Sequence, residues 1–259
     1  MAIAHLGRNA TTKASQLARC LCLSTTLAVL ATPALAEPLQ LLTESYPPYN
    51  YQEDGVLKGI SVDLLKAVME DAGVDYTMKV QPWARAYGLA LNTPGHCVFS
   101  TVHTPERDQL FEWVEPLFTT EAYLVRRVGA NIHPANLEEA RRYLVGTQLG
   151  DYTEALLKQA GFQRVDLTSE IDLSVKKLIA GRIDLMPMAA SMVNSLQKQG
   201  VAIEPALILN VSLDSLACNR KTDPATLSRI RESLRKLIAD GTRAGIFQRY
   251  KFIEGGLLR

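Results

Sequence analysis

The chain has 259 residues, with 28 Lys and Arg against 27 Asp and Glu, so its formal net charge at pH 7 is +1. Hydrophobic residues make up 47% and charged residues 21%, an ordinary mixture that excludes collagen-like, disordered and disulfide-dense chains. A net charge near zero does not favour binding to nucleic acid. The length allows one large domain or two small ones.

The first 36 residues have the pattern of a secretory signal peptide. Basic residues come first, no Asp or Glu precedes Glu37, and an apolar run ends in Ala34-Leu35-Ala36, small residues that suit a signal peptidase. A membrane anchor is the alternative, but Ser, Thr and Pro interrupt the run, and it is shorter than the roughly 20 apolar residues of a spanning helix. We therefore expect secretion with cleavage after Ala36, and no membrane insertion after cleavage.

Strands and helices are predicted to alternate in the first half of the remaining chain. The predicted strands are 39–43, 76–80 and 97–102. The predicted helices are 60–69 and 83–91. Gly73 stands where a helix C-cap belongs, and Pro82 sets the entry of the second helix. The βαβαβ order implies a parallel sheet with helices on its faces.

A second series of the same kind begins near Tyr143. Its predicted strands are 144–148, 165–168 and 183–188, followed by extended runs at 207–211 and 213–217. Its predicted helices are 153–160 and 173–180. A last long helix begins at Asp223 and Pro224 and ends at Gly241. Two α/β units indicate two lobes, and a cleft between them suits binding by closure.

Two cysteines, Cys97 and Cys218, remain after cleavage at Ala36. In an oxidising compartment an even pair indicates one disulfide, with two buried free thiols as the alternative. These cysteines and the scattered histidines lack any metal-ligand spacing, so we expect neither a metal nor a cofactor.

Five short motifs follow one another along residues 37–253. They are Tyr46-Pro47-Pro48-Tyr49, Gly59-Ile60-Ser61-Val62-Asp63-Leu64, Thr104-Pro105-Glu106-Arg107, Gly181-Arg182-Ile183-Asp184 and Asp240-Gly241-Thr242, with Tyr250 behind them. Together they resemble family 3 of the bacterial extracellular solute-binding proteins. The segment Pro82-Trp83-Ala84-Arg85-Ala86-Tyr87 resembles a divergent branch of that family.

The resemblance implies the type II periplasmic binding protein fold, an α/β architecture of two lobes, each a mostly parallel sheet flanked by helices, with two crossover strands. The first lobe would comprise 37–121 and 211–259, and the second lobe 122–210. Such a protein is a monomeric receptor that closes on a small solute, an amino acid or a related carboxylate, and delivers it to the permease of an ABC importer. Cys97 and Cys218 would then lie on strands of the same lobe, which allows a disulfide between them.

The resemblance also assigns ligand-binding residues. Arg107 would hold a carboxylate, because a planar guanidinium can donate two parallel hydrogen bonds to it; pairing with a neighbouring acid is the alternative. Ser100 matches a hydroxyl that helps to hold the ligand. Tyr46, Tyr49 and Trp83 are candidate aromatic walls, although such residues often belong to a core.

Asp151 and Tyr152 occupy a strand-to-helix turn that lines the cleft in this family. Asp151 suits a helix N-cap, or it could accept a ligand ammonium group. Ala189 stands where the family carries the Asp that binds the amino group, and Val102 where a second hydroxyl is expected. An α-amino acid would lose its ammonium partner there, and an unpaired buried ammonium is costly.

Two other classes of function use a cleft of this kind. A free-standing sensor would present its closed form to a membrane partner. A dehydratase-like enzyme would need an acid or base from Glu44, Asp151 or His103, which form no recognisable catalytic pair, so we expect no enzyme. The sequence leaves open whether Arg85 and Tyr87 face the cleft.

Overall fold

The computed structural model describes residues 37–254, so the expected signal peptide lies outside the described residues. The strands are β1 (Leu39–Thr43), β2 (Tyr51–Glu53), β3 (Val56–Lys58), β4 (Tyr76–Val80), β5 (His96–Val102), β6 (Phe111–Arg127), β7 (Val145–Gln148), β8 (Val165–Thr168), β9 (Met186–Ala189) and β10 (Ile203–Asn219). The helices are α1 (Ile60–Ala72), α2 (Trp83–Asn92), α3 (Leu137–Ala140), α4 (Tyr152–Gln159), α5 (Ile171–Ile179), α6 (Ala190–Lys198), α7 (Pro224–Ala239) and α8 (Thr242–Arg249), with a 3-10 turn at Asp108–Leu110.

The fold is a two-lobed mixed α/β architecture. Six strands form one sheet in the order β4-β1-β5-β10-β6-β9. β4, β1 and β5 are parallel, as the βαβαβ pattern predicts, whereas β10, β6 and β9 join antiparallel. β7 and β8 form a separate parallel pair, and Val145 bridges Leu185 in parallel as well.

Two long antiparallel strands, β6 and β10, pass through both lobes, with 17 residues each. Two clusters of buried apolar side chains pack around their outer ends and come, apart from Ala189, from 37–121 and 211–254. Two further clusters of buried side chains come from 122–210. We propose that the lobes divide at 121/122 and 210/211, where the two strands leave one group of clusters and enter the other.

The structure corrects several predicted elements. The runs 207–211 and 213–217 are one strand, because Ser212 continues the ladder opposite Thr120. The strand predicted at 183–188 begins only at Met186. Strand β6 was not predicted, since acidic residues and Pro116 interrupt its apolar pattern. Helix α6 was missed because its N-cap, Ala189, makes no side-chain capping bond that a sequence would signal.

Two helix ends follow their sequence signals. Gly73 caps α1 in the left-handed conformation, and the Asp223 carboxylate accepts the first free N–H groups of α7. Gly59, before α1, has φ 129°, and a Cβ at that position would lie 2.2 Å from the Tyr49 carbonyl oxygen. Only glycine allows α1 to begin this close to the loop that carries Tyr49.

Cys97 on β5 and Cys218 on β10 are register partners and form a disulfide. Both are completely buried in the apolar core of the first lobe. The bond therefore joins two neighbouring strands of the sheet, and free thiols are not the arrangement of this structure.

Candidate functional site

A cavity of about 70 Å³ lies between the two lobes. Its walls come from the carboxyl ends of β1, β5, β7 and β9, the place where open α/β sheets bind ligands. The polar side chains that line it are Glu44, Ser100, Thr120, Thr147, Gln148, Asp151, Thr153, Ser212 and Asp214. The aromatic side chains that line it are Tyr46, Tyr49, Trp83 and Tyr152. No Lys, Arg or His of the described chain lines it.

Four predicted aromatic residues are brought together here. Tyr46 accepts a hydrogen bond from the Ala189 N–H at 3.1 Å and stacks on Tyr49. Tyr49 is almost fully buried, packs on Phe118 and shares a hydrogen bond with Thr120, so most of its ring belongs to the core. Burial raises the pKa of both tyrosines, and their hydroxyls stay protonated.

Trp83 and Tyr152 form the rest of the aromatic wall. The Trp83 indole Nε1 donates to the Gly150 carbonyl oxygen at 2.9 Å, which joins α2 of one lobe to the turn before α4 of the other. The Tyr152 hydroxyl reaches Asn210 at 3.4 Å, and burial raises its pKa, with the Asp151 charge adding to the effect.

Ser100 reaches the cavity through a β-bulge. Phe99 and Thr101 pair with the consecutive residues Leu216 and Ser215, so Ser100 is an extra residue with no partner on β10. Its φ is 55°, a left-handed value that non-glycine residues rarely adopt. Bulges of this kind re-aim a side chain, and the Ser100 hydroxyl donates to Asn50 Oδ1 at 2.6 Å beside the cavity.

Arg107 lies outside the cavity, in an open groove between α2 and α4. Its guanidinium donates to the carbonyl oxygens of Val102, at 3.2 Å, and Gly150, at 3.0 Å. It also lies over the rings of Trp83 and Tyr87, at 5.7 and 5.0 Å from their centroids. In this closed arrangement Arg107 joins the two lobes at the entrance of the cleft, outside the cavity.

Three carboxyl groups line the cavity, and two have strongly raised pKa values. Asp151 caps α4 by accepting the Thr153 N–H at 2.9 Å. Burial raises the pKa of Glu44 to about 8, and repulsion from Asp151 and Asp172 acts in the same direction. A hydrogen bond of 2.8 Å from Gln148 lowers this pKa but does not cancel the effect of burial.

Thr120, Thr147, Gln148, Thr153 and Ser212 line the cavity although no sequence motif indicates them. Asp214 is the acidic residue that was missed in the same way. It lies on β10, only 7% exposed, and its Oδ2 is fully buried without a hydrogen-bond partner in the described chain. Burial, with repulsion from Asp151, raises its pKa to about 8. A signal for it exists in the run Leu213-Asp214-Ser215-Leu216-Ala217, because an ionisable residue inside an apolar strand is costly without a purpose.

Hydrogen bonds across the cleft hold the two lobes together. Trp83 and Arg107 both donate to the Gly150 carbonyl oxygen, Gln148 donates to Glu44, and the Ala189 N–H donates to Tyr46. The structure is thus a closed form in which groups from both lobes surround one small cavity.

Comparison with known proteins decides the family. The profile of the bacterial extracellular solute-binding proteins, family 3, matches residues 40–253, most of the chain. The chain belongs to this family.

Individual members are distant in sequence. A probable histidine-binding protein of Neisseria gonorrhoeae is 23% identical over 219 residues, covering 82% of each chain. An ancestral arginine-binding protein bound to arginine has a TM-score of 0.72 at 22% identity, over 82% of this chain and 97% of its own. A histidine kinase sensor domain similar to periplasmic binding proteins has a TM-score of 0.76 at 18% identity, over 83% of this chain and 96% of its own. These likenesses show the shared fold.

Within this solute-binding protein, the two departures predicted from the family pattern both touch the cavity. Ala189 and Val102 both line it and have apolar side chains, at the positions where the resemblance implies a carboxylate and a hydroxyl. Arg85 is exposed and does not line the cavity, and Tyr87 lies beneath Arg107 in the outer groove.

The cavity does not include His103, and the described residues of this solute-binding protein give no sign of a metal site or a membrane span. His103 is held by Glu115 and Asp108 and stacks on Trp113, away from the cavity. Among residues 37–254, no three acidic, His or Cys side chains are placed to hold a metal ion. No helix in that range is long and apolar enough to cross a bilayer.

Proposed function

We propose that the protein is a periplasmic receptor that closes around one small polar solute and delivers it to an ABC importer. The observation that carries this proposal is the enclosed cavity between the lobes, whose walls come from both sides and are joined by hydrogen bonds. A site built from two lobes couples binding to closure, since the solute completes the interface.

The solute must be small and polar. A cavity of about 70 Å³ is several times the smallest volume that holds one water molecule, about 10–15 Å³, so it has room for a small solute only. Hydroxyls of Ser100, Thr120 and Thr147 and the amide of Gln148 offer hydrogen bonds to it. An amino acid or a related compound fits this description.

A carboxylate on the solute would have to find its partner outside the cavity lining. The family resemblance implies that role for Arg107, whose guanidinium in the closed form donates to two backbone carbonyl oxygens. Within the cavity a carboxylate would meet hydroxyls and three acidic groups, an unfavourable environment for an anion.

Two alternatives share the same cavity. A sensor would use the closed form as its signal, and the likeness to a histidine kinase sensor domain supports that option for the fold. A dehydratase-like enzyme would use Glu44 as a general acid, since its pKa of about 8 keeps it protonated at pH 7. Incubating a bound solute with the protein and analysing it for new products separates receptor from enzyme.

The first experiment is a thermal-shift screen of the chain from Glu37 onward, unfolded and refolded to remove any carried-over solute. The panel holds amino acids, their decarboxylated amines, small carboxylates and short peptides. A binder at about 100 times its Kd stabilises by roughly 2.7 kcal/mol, a visible shift. No stabilisation by any compound would argue against a small-solute receptor; a hit would be followed by uptake assays in cells with and without this protein.

A further inference from the structure

We propose that this cavity selects a small organic cation, an amine or a guanidinium compound, through the Asp214 carboxylate, and needs no carboxylate on the solute. The proposal rests on the proposed receptor function and names its substrate class.

Asp214 is the observation that points to a ligand. The Asp214 side chain lines the cavity, and its Oδ2 is buried and lacks any hydrogen-bond donor in the described chain. A buried carboxyl oxygen without a donor costs free energy, and a donor supplied by a ligand would offset that cost. The missing partner is a hydrogen-bond donor, and a positively charged donor gains most.

The charge of the whole cavity selects the same sign. Asp151 and Glu44 line it together with Asp214, and no cationic side chain of residues 37–254 does. Glu44 already receives an N–H from Gln148, and Asp151 receives the Thr153 N–H, so Asp214 is the acid without a donor. A cationic group beside Asp214 would offset the repulsion that Asp151 exerts on the ionised Asp214 carboxylate.

The aromatic wall favours an organic cation over a metal ion. Tyr46, Trp83 and Tyr152 line the cavity beside these acids, and the faces of such rings attract ammonium and guanidinium groups. The acids are not arranged as metal ligands: no group of three or more potential ligands occurs among the described residues.

The pH dependence of binding follows from the groups that face Asp214. These are Asp151 on the turn before α4, Tyr152 on α4 and Tyr49 on the loop after β1. Asp214 must lose its proton to pair with a cation, while the tyrosines stay neutral. Binding therefore releases protons near pH 7, and affinity rises with pH until the carboxyl groups are ionised.

The test compares three solutes that differ in one charge at a time: arginine, agmatine, which lacks the carboxylate, and citrulline, which replaces the guanidinium with a neutral urea. Putrescine, cadaverine and histamine extend the set to amines. We expect stabilisation by agmatine or by one of these amines, and none by citrulline. Citrulline binding as tightly as arginine, or no organic cation binding at 10 mM, overturns the cation site. Hits among neutral or anionic solutes in the same plate would leave the receptor function standing.

Variants locate the site. Asp214→Asn should weaken binding of the best cation on the order of 100-fold and remove most of the rise of affinity between pH 6 and 8.5. Asp151→Asn keeps an N-cap and should weaken binding less. Asp54→Asn, at an exposed turn, is the matched control and should change nothing. Affinity that falls with pH, or an unchanged affinity in a folded Asp214→Asn protein, would overturn the proposal.

Discussion

Replacing Asp214 with Asn should stabilise the solute-free protein. The folded state raises the pKa of this carboxyl from 3.8 to about 8, because the group is buried and faces Asp151. In the unfolded chain it ionises near its ordinary pKa. Between pH 4 and 8 the unfolded state is therefore deprotonated while the folded state keeps its proton. Since the folded state binds more protons there, stability falls as pH rises through this window.

The magnitude follows from the size of that window. One pKa unit corresponds to 1.36 kcal/mol, so a rise of about four units would cost about 4 kcal/mol at pH 7 and about 6 kcal/mol above pH 8. Asparagine cannot ionise and avoids this cost. For a chain of this size each kcal/mol shifts the midpoint by about 2–4 °C, so even half the effect raises Tm by about 4–8 °C at pH 7.

The assay is thermal unfolding of both proteins at pH 4, 6, 7 and 8.5 without solute. The difference should be near zero at pH 4 and largest at pH 8.5, and Asp54→Asn should follow the wild type at every pH. A gain that is equal at all four pH values would mean that packing, not ionisation, is responsible. A loss of stability at pH 8.5 would refute the reasoning, since it would show that ionised Asp214 already has a partner.

Three other changes test separate parts of the structure. Reducing the Cys97–Cys218 disulfide should lower the free energy of unfolding by about 2–5 kcal/mol, and the denatured, unreduced protein should show no free thiol; two thiols by Ellman titration would contradict the bond. Arg107→Met should leave the fold intact and lower the affinity for every solute about tenfold, since it removes hydrogen bonds made on closure. A loss of affinity confined to carboxylate-bearing solutes would show instead that Arg107 binds the carboxylate. Gly59→Ala should destabilise by at least about 3 kcal/mol in urea unfolding, because its Cβ meets backbone at 2.2 Å, whereas Gly73→Ala, with open space around it, should cost only about 1 kcal/mol; equal costs would refute the steric argument.

Local signals carry much of the fold. The strands near Leu39, Tyr76 and His96 and helices α1, α2 and α7 lie where periodicity and caps predict them. Strand β6 could not be found in this way, because its pairing with β10 on one side and β9 on the other offsets its acidic residues and its proline. Long-range pairing overrides local preference there.

Only part of the site could be predicted from the sequence, because long-range contacts place some of its residues. Motif positions brought Tyr46, Trp83 and Asp151 to the cavity, because each stands near the carboxyl end of a predicted strand. Asp214 lies on β10, far along the chain from the other motif positions, and no local sequence pattern shows which strand ends it will face. The bond from Arg107 to the Gly150 carbonyl oxygen joins residues 43 positions apart, and no local pattern predicts such a contact.

Residues with unfavourable backbone conformations or desolvated carboxyl groups lie together around one cavity. Ser100 has a left-handed backbone conformation in a strand, Asp214 is a buried carboxyl group, and desolvation opposes the ionisation of both Asp214 and the partly buried Glu44. Each choice costs stability, and none improves the packing of either core. Since a fold retains such costs where function needs them, their convergence is an argument for binding that is independent of the family assignment. The same argument bears on the sign of the ligand's charge, because Glu44 and Asp214 ionise in this cavity only at a cost in free energy that a positively charged solute would offset.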